Sequence, residues 1–391
     1  MKNKLIPILA GLGLYFLSTG MSYAVFNNLS LKPSNNEITS PLGKISPAEK
    51  VKNKVDPSIP RDEVCPLNGV MYTRKEKDIW ETRRPLAVMI ENSEEARPQS
   101  GLSRADIVYE ALAEGWITRL MGVFYCNTPL ENITFAPVRS ARTYYVDWVS
   151  EYDALYNHVG GAGRCADDTV DDRAKALCQI YRYGIKDLDQ FGIGFPDCYR
   201  NPDRLDHPVA TEHTMVCFSD NLFKIADKRG WANPDENGIS WDKNFKQWSF
   251  KDDADKIEQG NTQNIKIVFA EGYDRYDVEW DYDQVSNTYK RKNGGVAQID
   301  LETQEQLAVK NVVVQLTKLT GPVDEHGHFL YATIGSGKAI IFQDGKTMVG
   351  TWSKKSRIGR TAYFDSLGKE IKFTRGLIWI ELIPREQQLT Y

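Results

Sequence analysis

The chain has no C-x-x-C pair, no H-E-x-x-H run and no G-x-S-x-G elbow. Those absences remove the paired-cysteine zinc sites, the zincin proteases and the α/β-hydrolases from consideration. It lacks a basic excess as well. Its 49 Lys and Arg stand against 53 Asp and Glu, a net charge of −4, which argues against general nucleic-acid binding. There is no internal repeat, and no stretch beyond the N-terminus is long and apolar enough to span a bilayer. A hydrophobic fraction of 41% with 26% charged residues belongs to a folded chain rather than a disordered one. At 391 residues it exceeds one ordinary core and divides most naturally into two domains.

The N-terminus reads as an address. Lys2 and Lys4 precede an uncharged, mostly apolar run from Leu5 to Leu17, and Ser22-Tyr23-Ala24 fits the small-x-small rule for signal peptidase. The uncharged stretch to Phe26 is also just long enough to remain as a membrane anchor. Cleavage and retention both stay open, and both place the body outside the cytoplasm because the lysines stay inside. The expectation is an extracytoplasmic protein, membrane-anchored or secreted, with residues 1–26 as signal or anchor. The six cysteines, Cys65, Cys126, Cys165, Cys178, Cys198 and Cys217, agree with export. An even count in an exported chain favours at least one disulfide, but fifteen full pairings exist and the sequence does not choose among them.

Residues 27–62 form a linker rich in Asn, Pro and mixed charge. Residues 63–232 read as an α/β layered domain. Pro85 to Ile90 is a buried strand, and Asp106 to Leu112 with Ile117 to Tyr125 suits a hairpin, although Ala105 to Glu114 would also fit one short helix. Ser140 is a good cap for a helix over Ala141 to Tyr152, with Tyr144, Tyr145, Trp148 and Val149 on its inner side. Ala154 to Val159 is a further strand, and Ser219 to Arg229 an amphipathic helix stopped by Gly230. Residues 233–391 change to short β-branched and aromatic runs: Ile265–Phe269, Asp277–Tyr282, Val312–Leu316, Ala339–Phe342 and Leu377–Leu382. Turn signals separate them at Asn293-Gly294-Gly295, Gly335-Ser-Gly337, Asp344-Gly345 and Leu367-Gly368. The predicted fold class is α+β, with the α/β layered domain followed by a mostly antiparallel β domain.

Chemistry concentrates in two segments. Arg139 and Arg142 flank the predicted start of a helix, where free N–H groups and a planar guanidinium fork suit a carboxylate or phosphate. The bland alternative is that one of them pairs with an internal acid such as Asp106 or Glu110. His158 precedes Gly160-Gly161-Ala162-Gly163 at a strand end, where α/β sheets place ligands, although a tight turn beside a structural histidine is the commoner arrangement. Weaker patterns are His207 with Glu212-His213 as metal ligands, Ser140 with His158 as a nucleophile pair, and Glu110 with Glu114 as glycosidase acids. The stretch Trp352, Lys354, Lys355, Arg357 and Arg360 could touch anionic polymer or lipid headgroups, with a solvated loop as the default.

At these motifs the chain resembles the YerB-like family of bacterial lipoproteins, built from two domains of unknown function. The matching segments are Arg84-Pro-Leu-Ala-Val-Met-Ile-Glu-Asn92, Ala96-Arg-Pro-Gln-Ser-Gly-Leu-Ser-Arg-Ala-Asp-Ile-Val-Tyr-Glu110, Pro137-Val-Arg-Ser-Ala-Arg142, Glu151-Tyr-Asp-Ala-Leu-Tyr156 and His158-Val-Gly-Gly161. In the second half they are Gly335-Ser-Gly-Lys-Ala339, Asp344-Gly-Lys346, Gly350-Thr-Trp-Ser-Lys354 and Trp379-Ile-Glu-Leu-Ile-Pro384. The resemblance implies the two-domain layout and an envelope location, and supplies no activity. It departs from the family at the first cysteine: Cys65 lies far beyond the apolar segment, where a lipobox cysteine would be needed. The six cysteines also look like an addition to the usual family pattern.

A fainter likeness to the LytR-CpsA-Psr phosphotransferases rests on Arg104-Ala-Asp106, Pro137-Val-Arg139 and His158-Val-Gly160-Gly161. By that likeness Asp106 would hold Mg²⁺, and Arg139 and Arg142 would clamp a diphosphate. The leading expectation is a protein without a demonstrable catalytic site that binds an anionic cell-wall or lipid component through Arg104, Asp106, Arg139, Arg142, His158, Gly160 and Gly161. It meets the membrane through its N-terminal segment and takes no metal or cofactor, Mg²⁺ entering only with the phosphotransferase alternative. A third reading is a scaffold whose β domain docks a protein partner.

Overall fold

The computed structural model describes residues 58–262 and 264–391. The apolar N-terminal segment and nearly all of the linker lie outside them. In the first half the apolar runs become strands β1 (Leu86–Glu91), β2 (Ile107–Leu112) and β3 (Thr118–Phe124), every residue of which is buried. Strands covered on both faces need no polar alternation, which is why they read as continuous apolar runs. β2 and β3 form the hairpin, in register Ile107↔Val123 to Leu112↔Thr118, so the short-helix alternative for 105–114 is not what forms. Helix α1 (Thr143–Glu151) buries Tyr144, Tyr145, Trp148 and Val149. Its N-cap is Arg142 rather than Ser140, and no side chain caps it. β4 (Leu155–His158), α2 (Ala176–Tyr183), β5 (Lys186–Asp189) and α3 (Ser219–Lys228) follow among the larger elements of this half.

The second half opens with an antiparallel meander of β6 (Asn264–Ile267), β7 (Val278–Asp283) and β8 (Thr288–Asn293). Burial alternates along β7 and β8, as expected for strands with one solvated face. β9 (Asn311–Leu316), β10 (Gly335–Gln343), β11 (Lys346–Lys354), β12 (Ala362–Phe364) and β13 (Ile378–Ile383) follow. Asp344 and Gly345, at φ 52° and 66°, make the two-residue turn between β10 and β11. The expected turn at Gly335-Ser-Gly337 is instead the start of β10. Gly337 is needed there for close approach: a Cβ would sit 2.6 Å from Trp352 Nε1 and 2.7 Å from the Leu316 carbonyl oxygen. A mixed α+β architecture with a sheet-rich C-terminal half results.

The halves share one ten-stranded sheet, ordered β12-β11-β10-β9-β13-β2-β3-β1-β4-β5. The join is the parallel pair β13–β2, in register Ile378↔Ile107 through Glu381↔Glu110. Arg291 on β8 closes over that join. It donates to Glu110 Oε2 at 2.6 Å and to Glu381 Oε1 at 3.0 Å, and all three side chains are fully buried. Its guanidinium lies 5.0 Å from the Trp280 ring centre and 4.4 Å from that of Trp379. The indole N–H of Trp379 donates to Glu110 and that of Trp280 to Glu381. Thr118 Oγ1 also donates to Glu110, and Gln298 accepts from Arg291 Nε. Burial, and then the neighbouring Glu110 carboxylate, push the Glu381 pKa well up.

All six cysteines pair, as Cys65–Cys126, Cys165–Cys178 and Cys198–Cys217, with sequence separations of 61, 13 and 19. Closing loops of these lengths contributes roughly 3–4 kcal/mol each on the chain-entropy account.

Urea unfolding tests the buried trio. Arg291→Met leaves Glu110 and Glu381 buried without their cation and lowers stability by about 3–5 kcal/mol at neutral pH. Because the Glu381 pKa is raised by folding, the protonated acid favours the folded state at low pH. That contribution is lost as pH rises from the ordinary 4.5 through the raised value. Glu381→Gln copies the protonated acid and flattens this decline. An Arg291→Met protein as stable as the parent would remove the trio from its place in the fold.

Candidate functional site

The C-terminal ends of β1 and β4 open onto a cleft of about 600 Å³. The segment 137–139 runs beside β1: Glu91 N donates to the Pro137 carbonyl and Arg139 N to that of Met89. It passes β4, where Val159 N donates to the Arg139 carbonyl, and then turns into α1. That path sets Arg139, Ser140 and Arg142 along one wall. The turn between β2 and β3 brings Glu114, and β3 brings Arg119. Gly161 closes the floor, where a Cβ would come within 3.1 Å of the Ala141 Cβ and carbonyl oxygen. His326 and His328 come from the C-terminal half, so the cleft is built by both.

The charges in this cleft are answered locally. Glu114 receives two hydrogen bonds of 2.5 Å from Arg142, Nε to Oε1 and Nη2 to Oε2. Burial opposes ionisation of Glu114, but the Arg142 charge and its fork, with Arg119 and His328 adding, hold it down at about 2. Arg119 Nη1 donates to the Ser140 carbonyl at 3.2 Å and lies 3.9 Å from Glu114. His328 Nδ1 is 2.8 Å from Asp324 Oδ2, and the Asp324 carboxylate also accepts from Asp171 N, tying the His loop to the opposite half. His326 Nε2 is 3.2 Å from Thr169 Oγ1. Arg139 is the exception. Its Nε is 3.1 Å from Glu91 Oε1, out of line for a hydrogen bond, while the other Glu91 oxygen meets His213 Nδ1 at 2.9 Å. Among the described residues, Arg139 makes no side-chain hydrogen bond, and its side chain is 27% exposed.

Arg139, Arg142 and Gly161 come together here, and the other expected residues do not. His158 is fully buried outside the cleft lining, its Nδ1 2.8 Å from the Gly160 carbonyl oxygen and its Nε2 3.0 Å from Asp187. The Gly160 N–H already donates to Asp189 Oδ1 at 2.8 Å. Asp106 precedes β2, whereas Glu114 follows it, so Asp106 lies about 20 Å away along the strand at roughly 3.3 Å per residue. It is sealed by hydrogen bonds from Asn68 Nδ2 and the Tyr125 and Cys126 amides, and burial pushes its pKa up to about 7 against those amides. Arg104, at the same end, pairs with Glu131. Asp106 therefore cannot hold a metal ion against a diphosphate clamped by Arg139 and Arg142.

The weaker patterns also resolve into packing. Glu110 belongs to the buried trio and cannot serve with Glu114. His213 pairs with Glu91, and His207 with Asp206 at the surface. In the basic stretch, Lys354 is buried against Glu151 at 2.8 Å, Arg357 donates to Ser150 Oγ over the Tyr183 ring, and Arg360 pairs with Glu370. Sequence reading missed Glu91, Arg119, Thr169 and the two histidines as cleft residues. Only the closely spaced His326-Gly327-His328 carried a local signal.

Residues 69–231 match the N-terminal domain of the family "Protein of unknown function (DUF3048)", and residues 265–380 match its C-terminal domain. The chain is similar to "Putative lipoprotein YerB" of Bacillus subtilis (strain 168), 29% identical over 324 residues, covering 82% of this chain and 86% of that one. It is also similar to the crystal structure of YerB protein from Bacillus subtilis, with a TM-score of 0.68 and 25% identity over 84% of this chain and 99% of that chain.

The Glu114–Arg142 pair makes an acid-stability prediction. A carboxyl held at about 2 contributes stability above its ordinary 4.5 that is lost as pH falls through about 2. Glu114→Gln should therefore be less stable at neutral pH by on the order of 3 kcal/mol. The two stability curves should converge as pH approaches 2. Curves that stay parallel throughout would contradict the pairing.

Proposed function

We propose that this chain, which belongs to the two-domain DUF3048 family, is an extracytoplasmic envelope protein that binds a phosphate- or carboxylate-bearing cell-wall or lipid component in the cleft at Arg139. The observation that carries the reading is the state of Arg139. Arg142 has a carboxylate filling its fork, whereas Arg139 has an ion pair out of hydrogen-bond line and a partly open side chain in a 600 Å³ cleft. Guanidinium N–H groups without acceptors gain most from an anion that brings two oxygens in one plane. Arg119 and Arg142 raise the local potential, while Ser140 on the wall supplies a neutral donor.

Location rests on independent support. The relative is named "Putative lipoprotein YerB", the N-terminal sequence has the charge and apolar run of an export or anchor segment, and three disulfides suit an oxidising compartment.

Calorimetry with pyrophosphate and with a dicarboxylate tests the site. Arg139→Ala should weaken binding by about ten- to a hundredfold, the equivalent of losing charge-assisted hydrogen bonds of about 1.5–3 kcal/mol. Arg139→Lys should recover only part, because an ammonium lacks the planar fork. Equal binding by parent and Arg139→Ala would make Arg139 a structural partner of Glu91 and remove the reading.

A further inference from the structure

On the other side of the β2–β3 turn lies a second groove, also of about 600 Å³, that the anion reading does not use. Its apolar wall is Trp116, Leu316, Leu319 and Phe329, and its rim carries Lys318 and Arg385. Trp116 is held outward on a backbone with φ 62°, a conformation uncommon for a bulky side chain, and is 40% exposed. Its ring centre lies 5.4 Å from that of Phe329 and 6.2 Å from that of Tyr273, itself 41% exposed. Lys318 and Arg385 are exposed and have no acidic partner among the described residues. Glu386, next in sequence to Arg385, is committed to Lys338 at 2.6 Å.

We infer that this groove is a membrane-contact face, with Trp116 and Tyr273 seated at the level of anionic phospholipid headgroups and Lys318 and Arg385 paired to their phosphates. The pattern selects lipid over a protein partner. Trp, Tyr, Phe and Arg also suit protein interfaces, but lysine is depleted there, and a charge in such an interface is expected to meet an opposite charge. An exposed indole beside long cations without partners is the arrangement that suits the wet, anionic boundary of a bilayer, where the ring takes the interfacial zone and the stems of Lys and Arg extend to the phosphates. The face stands on its own residues, and holds whether or not the Arg139 cleft takes an anion.

Amide hydrogen exchange of the full chain on vesicles tests this without depending on how the N-terminal segment behaves. On vesicles of phosphatidylcholine mixed with phosphatidylglycerol, amides of residues 114–117 and 318–321 should exchange roughly tenfold more slowly than on pure phosphatidylcholine, as two cations at an anionic surface predict. The double variant Lys318→Glu/Arg385→Glu should lose that difference, and Trp116→Ala should reduce protection on both vesicles. Exchange in these segments that is the same on both vesicle types, or unchanged in the charge-reversed protein, would overturn the inference.

Discussion

One guanidinium decides how the two halves relate. Arg291 is fully buried between Glu110 on β2 and Glu381 on β13, the two strands that join the halves. A buried charge without partners costs several kcal/mol, so each of the three groups is stable only while the others stay in place. Two acids around one cation leave an excess negative charge, which burial and mutual repulsion relieve by pushing Glu381 towards its protonated form. The two indole N–H groups add donors to Glu381 Oε1 and Glu110 Oε2, and the two ring faces sandwich the guanidinium. Lys354 and Glu151, also fully buried, tie β11 to α1 in the same manner.

Because the sheet is continuous, the cleft has fixed walls. The His326–His328 loop comes from the C-terminal half and bonds through Asp324 to Asp171. Asp171 lies in a segment that the Cys165–Cys178 disulfide staples. Opposite stand the arginines, each balanced by an acid reached along a different strand: Glu114 after β2 and Glu91 at the end of β1. The balance is complete at Arg142 and incomplete at Arg139, which is why the reading of function falls on one residue.

Much of the fold was legible because its signals are local. The buried runs at Leu86 and Ile107, the hairpin to Phe124, the aromatic inner face of α1 and the Asp344-Gly345 turn all follow from periodicity or turn chemistry within a dozen residues. The shared sheet was not legible. Parallel pairing of β13 with β2 leaves no local mark, and neither does a lock between residues 181 apart, Glu110 and Arg291. Within the site, Arg139 and Arg142 were found by residue type, but their acids were not. Asp106 and His158 were misplaced for one shared reason. A polar residue at a strand end looks alike in sequence whether it faces a cleft or, as both do here, a ring of backbone and side-chain partners inside the protein. Gly335-Ser-Gly337 was read as a turn because two glycines are the strongest turn signal, whereas Gly337 is there to let Trp352 approach.

The central claim is that the described residues form one cooperative body despite matching two family domains. Scanning calorimetry of the disulfide-intact protein addresses it directly. The account predicts a single transition whose calorimetric and van't Hoff enthalpies agree. Two resolved transitions, or a calorimetric enthalpy well above the van't Hoff value, would show that the halves unfold independently and that the Arg291 trio does not unite them.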